Sequence, residues 1–561
     1  MLKFGDAYYM TDDDLTVNIL GFWPQVAIQN KKLKEIYEKE FKRGSLGGDD
    51  LISYAQPLVS RGMNFNELEL EILEDIENPE KPGIKEILFN KTATGIGRGH
   101  SLGGLSGIVF GIHGTKMIDS GLTGLCTSRS LVTSSRRRET GTSDIVIPNS
   151  LRQHPELLKE YMQISEEVFN LGNEFKEKFG KLEGVETFNK VIPYNNPADL
   201  FIVLPLDTMA TIISETREDK LNPNGNYLPR EIWKFAEMLL QITEKAGQSI
   251  MLKQRIEVPR DTYFHYNLFK DPSKPNSALE RGLKTGMSTS PIIESIKKDV
   301  SPEIYRALEN LKRHFEKVKV IENPEELHQA SLKLMYHLRE ISSEYNDFFN
   351  ARVIDSLSWR VWSEQKRHAT LRQNVESVYS AADRALINIE KIWLLIEQSY
   401  QEKSLEKLEP LLNQFEKNII IDNRLKKKPE IIFPYVYHTA RQLIFYKKML
   451  KNEIEQRDAL YIVPKNIRVR TLENYDLVNL INLEFPLRLC GTCEPERQVT
   501  SWNKRKAFAE AFPELSYFLQ PKCNIGFCTE GKICGYMNGV RRNYYEELHK
   551  RVKQTMLDKA K

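Results

Sequence analysis

A short apolar segment occurs twice in this chain, and it constrains the fold more than any other feature. The sequence DLFIVLP at 199–205 is echoed by DALYIVP at 458–464. Each copy lies downstream of an arginine-rich stretch, so the order of the features recurs along with the segment. Recurrence at long range indicates an internal repeat. We therefore expect two copies of one structural unit, joined near the segment KDPSKPNSALERGLKTGMSTSPI, which is rich in proline, serine and glycine.

Length and charge narrow the class of protein. At 561 residues the chain exceeds one ordinary hydrophobic core, which predicts two or three domains. Its 80 Lys+Arg residues nearly balance 77 Asp+Glu residues, so general attraction to nucleic acid is not expected. No apolar run has the length of a membrane span, and the opening MLKFGDAYYMTDDDL is too acidic for a secretory signal. We expect a cytoplasmic protein without a membrane partner.

The most basic stretch is WRVWSEQKRHATLRQNVESVY, residues 359–379. It contains neither glycine nor proline, which predicts a helix. Its arginines, with neighbouring amide and hydroxyl groups, offer a surface that would bind an anion such as phosphate. The alternative is a solvated helix face whose cations pair locally with Glu364 and Glu376.

This stretch resembles the signature of the flavin-dependent thymidylate synthases, in which Arg-His-Arg is followed by Ser, Asn-Glu, Ser and Arg-Tyr. Four residues fall on matching positions: Arg367, His368, Asn374 and Ser377. Four others depart from the pattern: Ala369, Arg372, Val375 and Tyr379. The resemblance implies that Arg367, His368 and Asn374 bind the cofactor and that Ser377 binds the substrate. The apolar segments at 199–205 and 458–464 resemble a second family segment, although both lack its arginine.

Two further regions carry candidate site residues. The segment CTSRSLVTSSRRRETGTSDIVIP contains three consecutive arginines, which fit either an anion site or a flexible basic loop. The resemblance implies substrate contacts for Arg137, Arg138 and Glu139, with the register of this segment open. After residue 480 it places Arg488 toward the flavin and Arg497 toward the nucleotide phosphate.

Five of the six cysteines lie close together near the carboxyl end. They provide enough soft ligands for a tetrahedral metal site, with one cysteine left over. Zinc is the default ion, an iron–sulfur cluster is a second interpretation, and reduced thiols without metal are a third. The candidate ligands are Cys490, Cys493, Cys523, Cys528 and Cys534.

The resemblance implies an α/β (α+β) protein with long helices packed around sheets. We expect a helical extension at 1–84, a first synthase-like unit at 85–300, a second at 301–485, and its cysteine-rich end at 486–561. The resemblance implies methylation of dUMP to dTMP with FAD, NADPH and methylenetetrahydrofolate. It also implies a homodimer that forms a pseudo-tetramer, with folate and dUMP as partners. The alternative is a non-catalytic nucleotide- or nucleic-acid-binding protein with a zinc module.

Overall fold

The computed structural model describes residues 1–23, 28–41, 64–80, 107–123, 128–133, 138–246, 268–273, 279, 291–298, 301–367, 370–422, 424–525, 528, 534 and 539–560. The expected α+β class is confirmed, since long helices accompany small antiparallel sheets. Within the described residues no helix has both the length and the apolar character needed to cross a bilayer. The chain divides into two compact units that interleave along the sequence. The first is Met1–Lys274, Ser377–Leu412 and Asn423–Ile467, and the second is Pro275–Glu376, Asn413–Asp422 and Arg468–Lys561.

The first unit is built on a four-stranded antiparallel sheet, called the first sheet below. Its strands are β3 (Thr16–Trp23), β4 (Gly107–Thr115), β5 (Arg129–Val132) and β7 (Pro197–Pro205), in the spatial order β3-β4-β7-β5. In β7 the side chains alternate, so Leu200 and Ile202 are buried while Phe201 is exposed. A three-stranded sheet contains β1 (Leu2–Phe4), β2 (Ala7–Thr11) and β6 (Val146–Ile147).

Helices of the first unit come from two parts of the chain. The amino-terminal part provides α1 (Lys31–Phe41), α2 (Phe65–Glu77), α3 (Lys116–Leu122), α4 (Pro155–Phe179), α5 (Lys181–Val191), α6 (Leu206–Leu221) and α7 (Arg230–Ala246). The later part provides α11 (Val378–Glu390), α12 (Trp393–Glu402), α14 (Pro429–Lys451) and α15 (Gln456–Ala459). Between them, α13 (Leu405–Glu416) contains residues of both units. Proline at the first position begins α4 and α14, where its missing N–H costs nothing.

The second unit contains the second sheet, which is also four-stranded and antiparallel. Its strands are β8 (Ile292–Lys298), β9 (Phe349–Ser358), β10 (Arg372–Val375) and β11 (Arg468–Asp476), in the order β10-β11-β9-β8. Its helices are α8 (Pro302–Lys319), α9 (Pro324–Glu344), α10 (Trp359–Gln365), α16 (Leu477–Ile481), α17 (Glu484–Arg488), α18 (Pro495–Ala511), α19 (Pro513–Ser516), α20 (Lys522–Ile525) and α21 (Gly539–Ala560). An aromatic core joins the sheet to α18, where Phe508 contacts Phe349, Tyr475 and Phe485.

Both sheets follow the same path. In each, the strands taken in chain order occupy the spatial order first, second, fourth, third. Among the described residues two α-helices lie between the first and second strands of each sheet, a seven-residue helix follows the second strand, and the third strand has four residues. The fourth strands have nine residues each, and helices of 17 residues, α7 and α18, follow farther on.

A carboxylate contact also recurs where the second strand meets its short helix. In the first unit, Thr115 caps α3, and its backbone N–H and its hydroxyl both donate to Glu231, the second residue of α7. In the second unit, Ser358 caps α10, and the same two groups donate to Glu496, the second residue of α18, at 2.6 and 2.9 Å. Each glutamate thus fixes the end of a strand and the start of a helix.

The two longest helices of the first unit, α4 and α14, pack antiparallel with a two-fold-like pattern. Ser165 and Thr439 are each the eleventh residue of their helix. Ser165 accepts a hydrogen bond from Asn195 (2.9 Å), and Thr439 accepts one from Asn466 (2.9 Å). The two asparagines each lie two residues after a proline, and those prolines, Pro193 and Pro464, form an antiparallel bridge with each other.

The echo that predicted the repeat does not mark equivalent positions. The segment at 199–205 lies in β7, whereas the segment at 458–464 forms α15 and a 3-10 turn at Leu460–Ile462. Pro464 is paired instead with Pro193, and each lies four residues before the fourth strand of its sheet. The expected helical extension at 1–84 also carries β1 to β3, and β8 falls within 85–300. The domain boundaries given above therefore stay predictions.

Candidate functional site

The composition of the basic stretch at 359–379 predicts a single helix, and this prediction is wrong. The stretch forms a helix, a strand and the start of another helix. α10 ends at Gln365, and Arg372–Val375 pairs with β11 as the edge strand of the second sheet. Pairing with a sheet overrides the helix propensity of these residues. Arg360, expected on an exposed anion-binding face, is 1% exposed and forms an ion pair with Glu494 at 3.3 Å.

Strand β10 divides the remaining signature residues between two faces. Arg372 and Asn374 are exposed, while Gln373 and Val375 point into the core. Arg367 is exposed just before the strand. His368 and Ala369 lie outside the described residues. Of the four residues that match the family signature, Arg367 and Asn374 are therefore exposed to solvent.

A cleft of about 840 Å³ opens beside Arg372 on the exposed face of the second sheet. Cross-strand pairing places Arg372 opposite Asn474, and Lys297 and Asp476 each opposite Asn350. Residues on one face of an antiparallel pair lie close enough to share a ligand. Lining residues are Lys297, Asn346, Asp347, Phe349, Asn350, Thr370, Arg372, Asn474 and Asp476.

Two cations, Lys297 and Arg372, and two carboxylates, Asp347 and Asp476, line this cleft. Neither Lys297 nor Arg372 has a carboxylate within ion-pair distance in the part of the chain that the structure describes. Asp476 is already engaged, because it caps α16 and accepts hydrogen bonds from the backbone and the side chain of Asn479, both at 2.8 Å. Two cations beside three amide side chains give a surface that fits a phosphate and the polar edge of a ring.

The opposite face of the second sheet carries a buried cluster of charges. Asp355 accepts from Arg497 at 3.0 Å and from Lys504 at 2.6 Å. Glu473 contacts the same two cations, and the hydroxyl of Tyr475 donates to it at 2.7 Å. Burial alone would raise the pKa of Glu473, but Lys504 and Arg497 outweigh burial and hold that pKa well below its usual value. Glu473 is therefore ionised, and its ion pairs with Arg497 and Lys504 anchor α18 to the sheet.

Both arginines expected to meet ligands near residue 490 are held by carboxylates. Arg497 is 1% exposed, and besides Asp355 it contacts Glu473 at 3.6 Å. The side chain of Arg488 donates to Glu484 at 2.6 Å. A direct contact of either guanidinium with flavin or phosphate would require these ion pairs to open.

Two of the candidate residues at 137–139 lie in the described part of the chain, and each is engaged in its own ion pair. Arg137 lies outside the described residues. Arg138 donates to Asp144 at 3.2 Å, whereas Glu139 is exposed and pairs with Lys181 at 2.8 Å. Ser377, in the first unit, is buried and donates to the backbone oxygen of Lys270 at 2.7 Å.

The five candidate cysteines lie in the described part of the chain, and some of them approach one another. Cys493 donates its N–H to the carbonyl of Cys490 at 3.0 Å, which is the tight turn expected of this spacing. Cys523 is buried against Tyr544 and Tyr545, with Cys528 beside it. Burial, and then the neighbouring thiols of Cys534, Cys490 and Cys528, raise the pKa of Cys523 to about 11. Among the described residues no group of three or more His, Cys, Asp or Glu side chains is arranged to hold a metal. The metal site stays a prediction.

The first unit contains buried acids that sequence reasoning missed. Burial raises the pKa of Asp12 to about 6 and that of Glu231 to about 8. Asp458 is also buried and pairs with Arg230 at 3.1 Å, and Arg230 lines a nearby cleft of about 580 Å³. These acids come from distant parts of the sequence, and no local motif marks any of them.

No family model matches the chain. Parts of it are similar to flavin-dependent thymidylate synthases. The enzyme of Pyrococcus abyssi is 26% identical over 159 residues, which cover 27% of this chain and 65% of that relative. The enzyme of Aeropyrum pernix is 27% identical over 106 residues, covering 18% and 33%. The enzyme of Pyrococcus furiosus is 23% identical over 168 residues, covering 29% and 66%.

A structural comparison finds the UMP/dUMP methylase PolB of Streptomyces cacaoi, bound with 5-Br dUMP. It has a TM-score of 0.29 and 12% identity, and the match covers 45% of this chain and 97% of PolB. The chain spans between one third and about two thirds of the length of the curated relatives it matches. The sequence similarities support the resemblance drawn from the signature residues over part of the chain.

Proposed function

We propose that this chain is a divergent relative of the flavin-dependent thymidylate synthases that methylates dUMP to dTMP. The observation that carries the proposal is the position of the signature stretch. Arg367, Arg372 and Asn374 are exposed, and Arg372 lines an 840 Å³ cleft in which neither Arg372 nor Lys297 has a carboxylate within ion-pair distance among the described residues. Such a cleft suits a phosphate-bearing ligand. The partial sequence similarity to enzymes of this name is the second support.

In this proposal the second unit binds and orients the substrate. Arg372 and Lys297 bind the phosphate of dUMP, and the amides of Asn350 and Asn474 bond to the edge of its ring. The buried cluster around Glu473 keeps the sheet and α18 fixed, so that the exposed face holds its geometry. We assign Arg497 and Arg488 this supporting role, because both are already paired with carboxylates.

The proposed cofactor is FAD, with NADPH and methylenetetrahydrofolate as cosubstrates. Flavin supplies hydride transfer when it is bound, and the protein supplies binding and orientation. Arg367, Asn374 and His368 are the residues we propose to hold it. The exposed guanidinium of Arg367 and the exposed amide of Asn374 fit the phosphate and polar ring groups of such a cofactor.

We also propose that the two sheets descend from an internal duplication. Support comes from the shared strand order, the paired Thr115–Glu231 and Ser358–Glu496 contacts, and the Pro193–Pro464 bridge. The family resemblance adds the expectation of a homodimer that forms a pseudo-tetramer. Sedimentation velocity measures this directly, and a monomer at micromolar concentration would contradict the dimer.

One observation favours a second candidate, a nucleotide-binding protein without catalysis. Tyr379 stands where the family has its final arginine, and it is fully buried, with its hydroxyl donating to the backbone oxygen of Tyr227. Val375, in place of the family's glutamate, is buried as well. These positions now serve packing instead of ligand binding. A chain of this kind would keep dUMP binding and lack turnover.

The visible absorption spectrum of the purified protein tests the proposal. Flavin bands that are present, or that appear on adding FAD and then shift on adding dUMP, would place both ligands in one site. An NADPH-dependent methylation assay would then separate the enzyme from the non-catalytic protein. Binding of dUMP without any flavin bands would favour the second candidate, and binding of neither ligand would contradict both.

A further inference from the structure

The matching paths of the two sheets allow their surfaces to be compared position by position. Both third strands, β5 and β10, are four-residue edge strands that pair with the fourth strand of their sheet. Arg129 lies opposite Val203 in the first sheet, and Arg372 lies opposite Asn474 in the second. Each arginine is the first residue of its strand, so Arg129 is the counterpart of Arg372.

The positions next to these arginines have different chemistry. Leu131, the counterpart of Asn374, is 75% exposed. Its cross-strand neighbour Phe201 is 56% exposed, whereas Leu472, the counterpart of Phe201, is also apolar but buried. Val203 takes the place of Asn474. Aliphatic and aromatic side chains donate no hydrogen bonds, so these positions of the first sheet offer a phosphate or a pyrimidine edge no partner.

The second strands of the two sheets also differ, with a polar residue in the second sheet where the first sheet has an apolar one. On the second sheet Asn474 is flanked on its other side by Arg352, whereas on the first sheet Val203 is flanked by Val109. Three adjacent strands therefore present Arg372, Asn474 and Arg352 in one row of the second sheet. The matching row of the first sheet is Arg129, Val203 and Val109, which keeps a single cation.

We propose that the chain carries one nucleotide site, on the second sheet, and that the matching surface of the first sheet does not bind the nucleotide. This inference rests on the proposed function, because it takes the nucleotide to be the ligand of the cleft. It goes further by assigning one nucleotide site to a chain with two similar sheets. Arg372 is the phosphate contact of that site, and Arg129 occupies the equivalent position without a nucleotide to bind.

Calorimetric titration of the full-length protein with dUMP tests this directly. We expect one dUMP per chain, and R372A should weaken binding at least tenfold. The matched variant R129A should bind within twofold of the wild type. R372K keeps the charge and loses the bidentate fork, so its affinity should fall between those of the wild type and R372A. Unchanged thermal melting of each variant shows that folding is not the cause.

The outcomes distinguish this inference from the function on which it rests. Two equivalent sites per chain, or equal losses in R129A and R372A, would overturn the single-site proposal while leaving nucleotide binding intact. Tight binding by R372A with loss in R129A would move the site to the first sheet and also overturn it. Failure of the wild type to bind any dUMP would overturn the proposed function and this inference with it.

Discussion

Glu167 and Arg441 form an ion pair between residues that occupy the same position, the thirteenth, of two antiparallel helices. On either side of this pair the charges are exchanged between the helices, so that α4 provides the acid of one ion pair and the base of the other. Glu160 of α4 pairs with Lys448 of α14, and toward the other end Lys178 of α4 approaches Glu430 of α14 at 3.8 Å. A residue that contacts its own counterpart marks a local two-fold axis. The contact between α4 and α14 therefore has the form of a dimer interface within one chain.

Reversing one charge of this central pair should destabilise the first unit, because two like charges would then meet. We expect E167R or R441E alone to lower the free energy of unfolding by about 1 kcal/mol, and the double variant to recover most of it. A double-mutant cycle measured by urea unfolding gives the coupling. K178E serves as the control, since Lys178 and Glu430 are far more exposed and should couple weakly. Additive effects of the two central reversals would show that the pair contributes nothing.

Removing the lysine of the buried cluster should be far more costly. K504M leaves Asp355 and Glu473 in the core with Arg497 as their remaining cation among the described residues. Breaking a buried ion pair in this way costs about 3–5 kcal/mol. The control is K506M, because Lys506 is an exposed residue of the same helix, α18. Chemical unfolding measures both, and a loss in K504M no larger than that in K506M would contradict the role given to the cluster.

The pH dependence of stability should report on Glu231. Burial raises its pKa to about 8 in the folded protein, against 4.5 for an exposed glutamate. The unfolded chain therefore releases this proton first, and the folded state loses stability as pH rises from about 4.5 through about 8. In E231Q the amide oxygen can accept from the Thr115 N–H and the amide nitrogen can donate to the Thr115 hydroxyl, and the side chain does not ionise.

Relative to the wild type, E231Q should gain stability between pH 5 and pH 8.5. The gain should exceed about 1.4 kcal/mol, the equivalent of one pKa unit. Urea unfolding at the two pH values measures it, and E237Q, at an exposed position of α7, should show no such trend. A difference that is the same at both pH values would mean that Glu231 is charged in the folded protein.

Flavin binding should depend on Arg367 more than on other exposed arginines. R367A should weaken FAD binding by at least tenfold, because an exposed guanidinium is lost from the signature stretch. Fluorescence quenching of FAD on titration with protein measures the affinity. R306A is a suitable control, since Arg306 is exposed on α8 and pairs within that helix. Equal affinities in the two variants would remove Arg367 from the proposed cofactor site.

Elemental analysis should find about one zinc ion per chain if the cysteine segment binds metal as its ligand types predict. Replacing the buried thiol in C523S should release the zinc. A tetrahedral site needs four of the five cysteines, so one of the other single replacements should leave the zinc bound. Inductively coupled plasma mass spectrometry on dialysed protein gives the content. Protein free of zinc and iron, with all five thiols reactive, would favour the interpretation as reduced cysteines.

The fold class was predictable from sequence, because the resemblance of the signature stretch to a known family implies it. The conformation of that stretch was not. Arg372–Val375 becomes a strand because β11, almost a hundred residues away, offers it a partner. Arg360 and Arg497 look like surface cations in sequence, but tertiary contacts supply Glu494 and Asp355 and so bury them. The buried acids around Glu231 likewise depend on contacts that span more than a hundred residues.

Because Pro193 and Pro464 belong to one chain, the bridge between them does not depend on the protein concentration. Two separate subunits with such a contact would come apart on dilution, whereas two segments of one chain meet at an effective concentration fixed by the chain itself. The contact between α4 and α14 therefore persists at any protein concentration. In a homodimer one substitution changes both sides of the interface at once. In a single chain each side of the contact can change alone. If the two sheets arose by duplication, as proposed above, that independence would let Leu131 and Asn374 differ at equivalent positions.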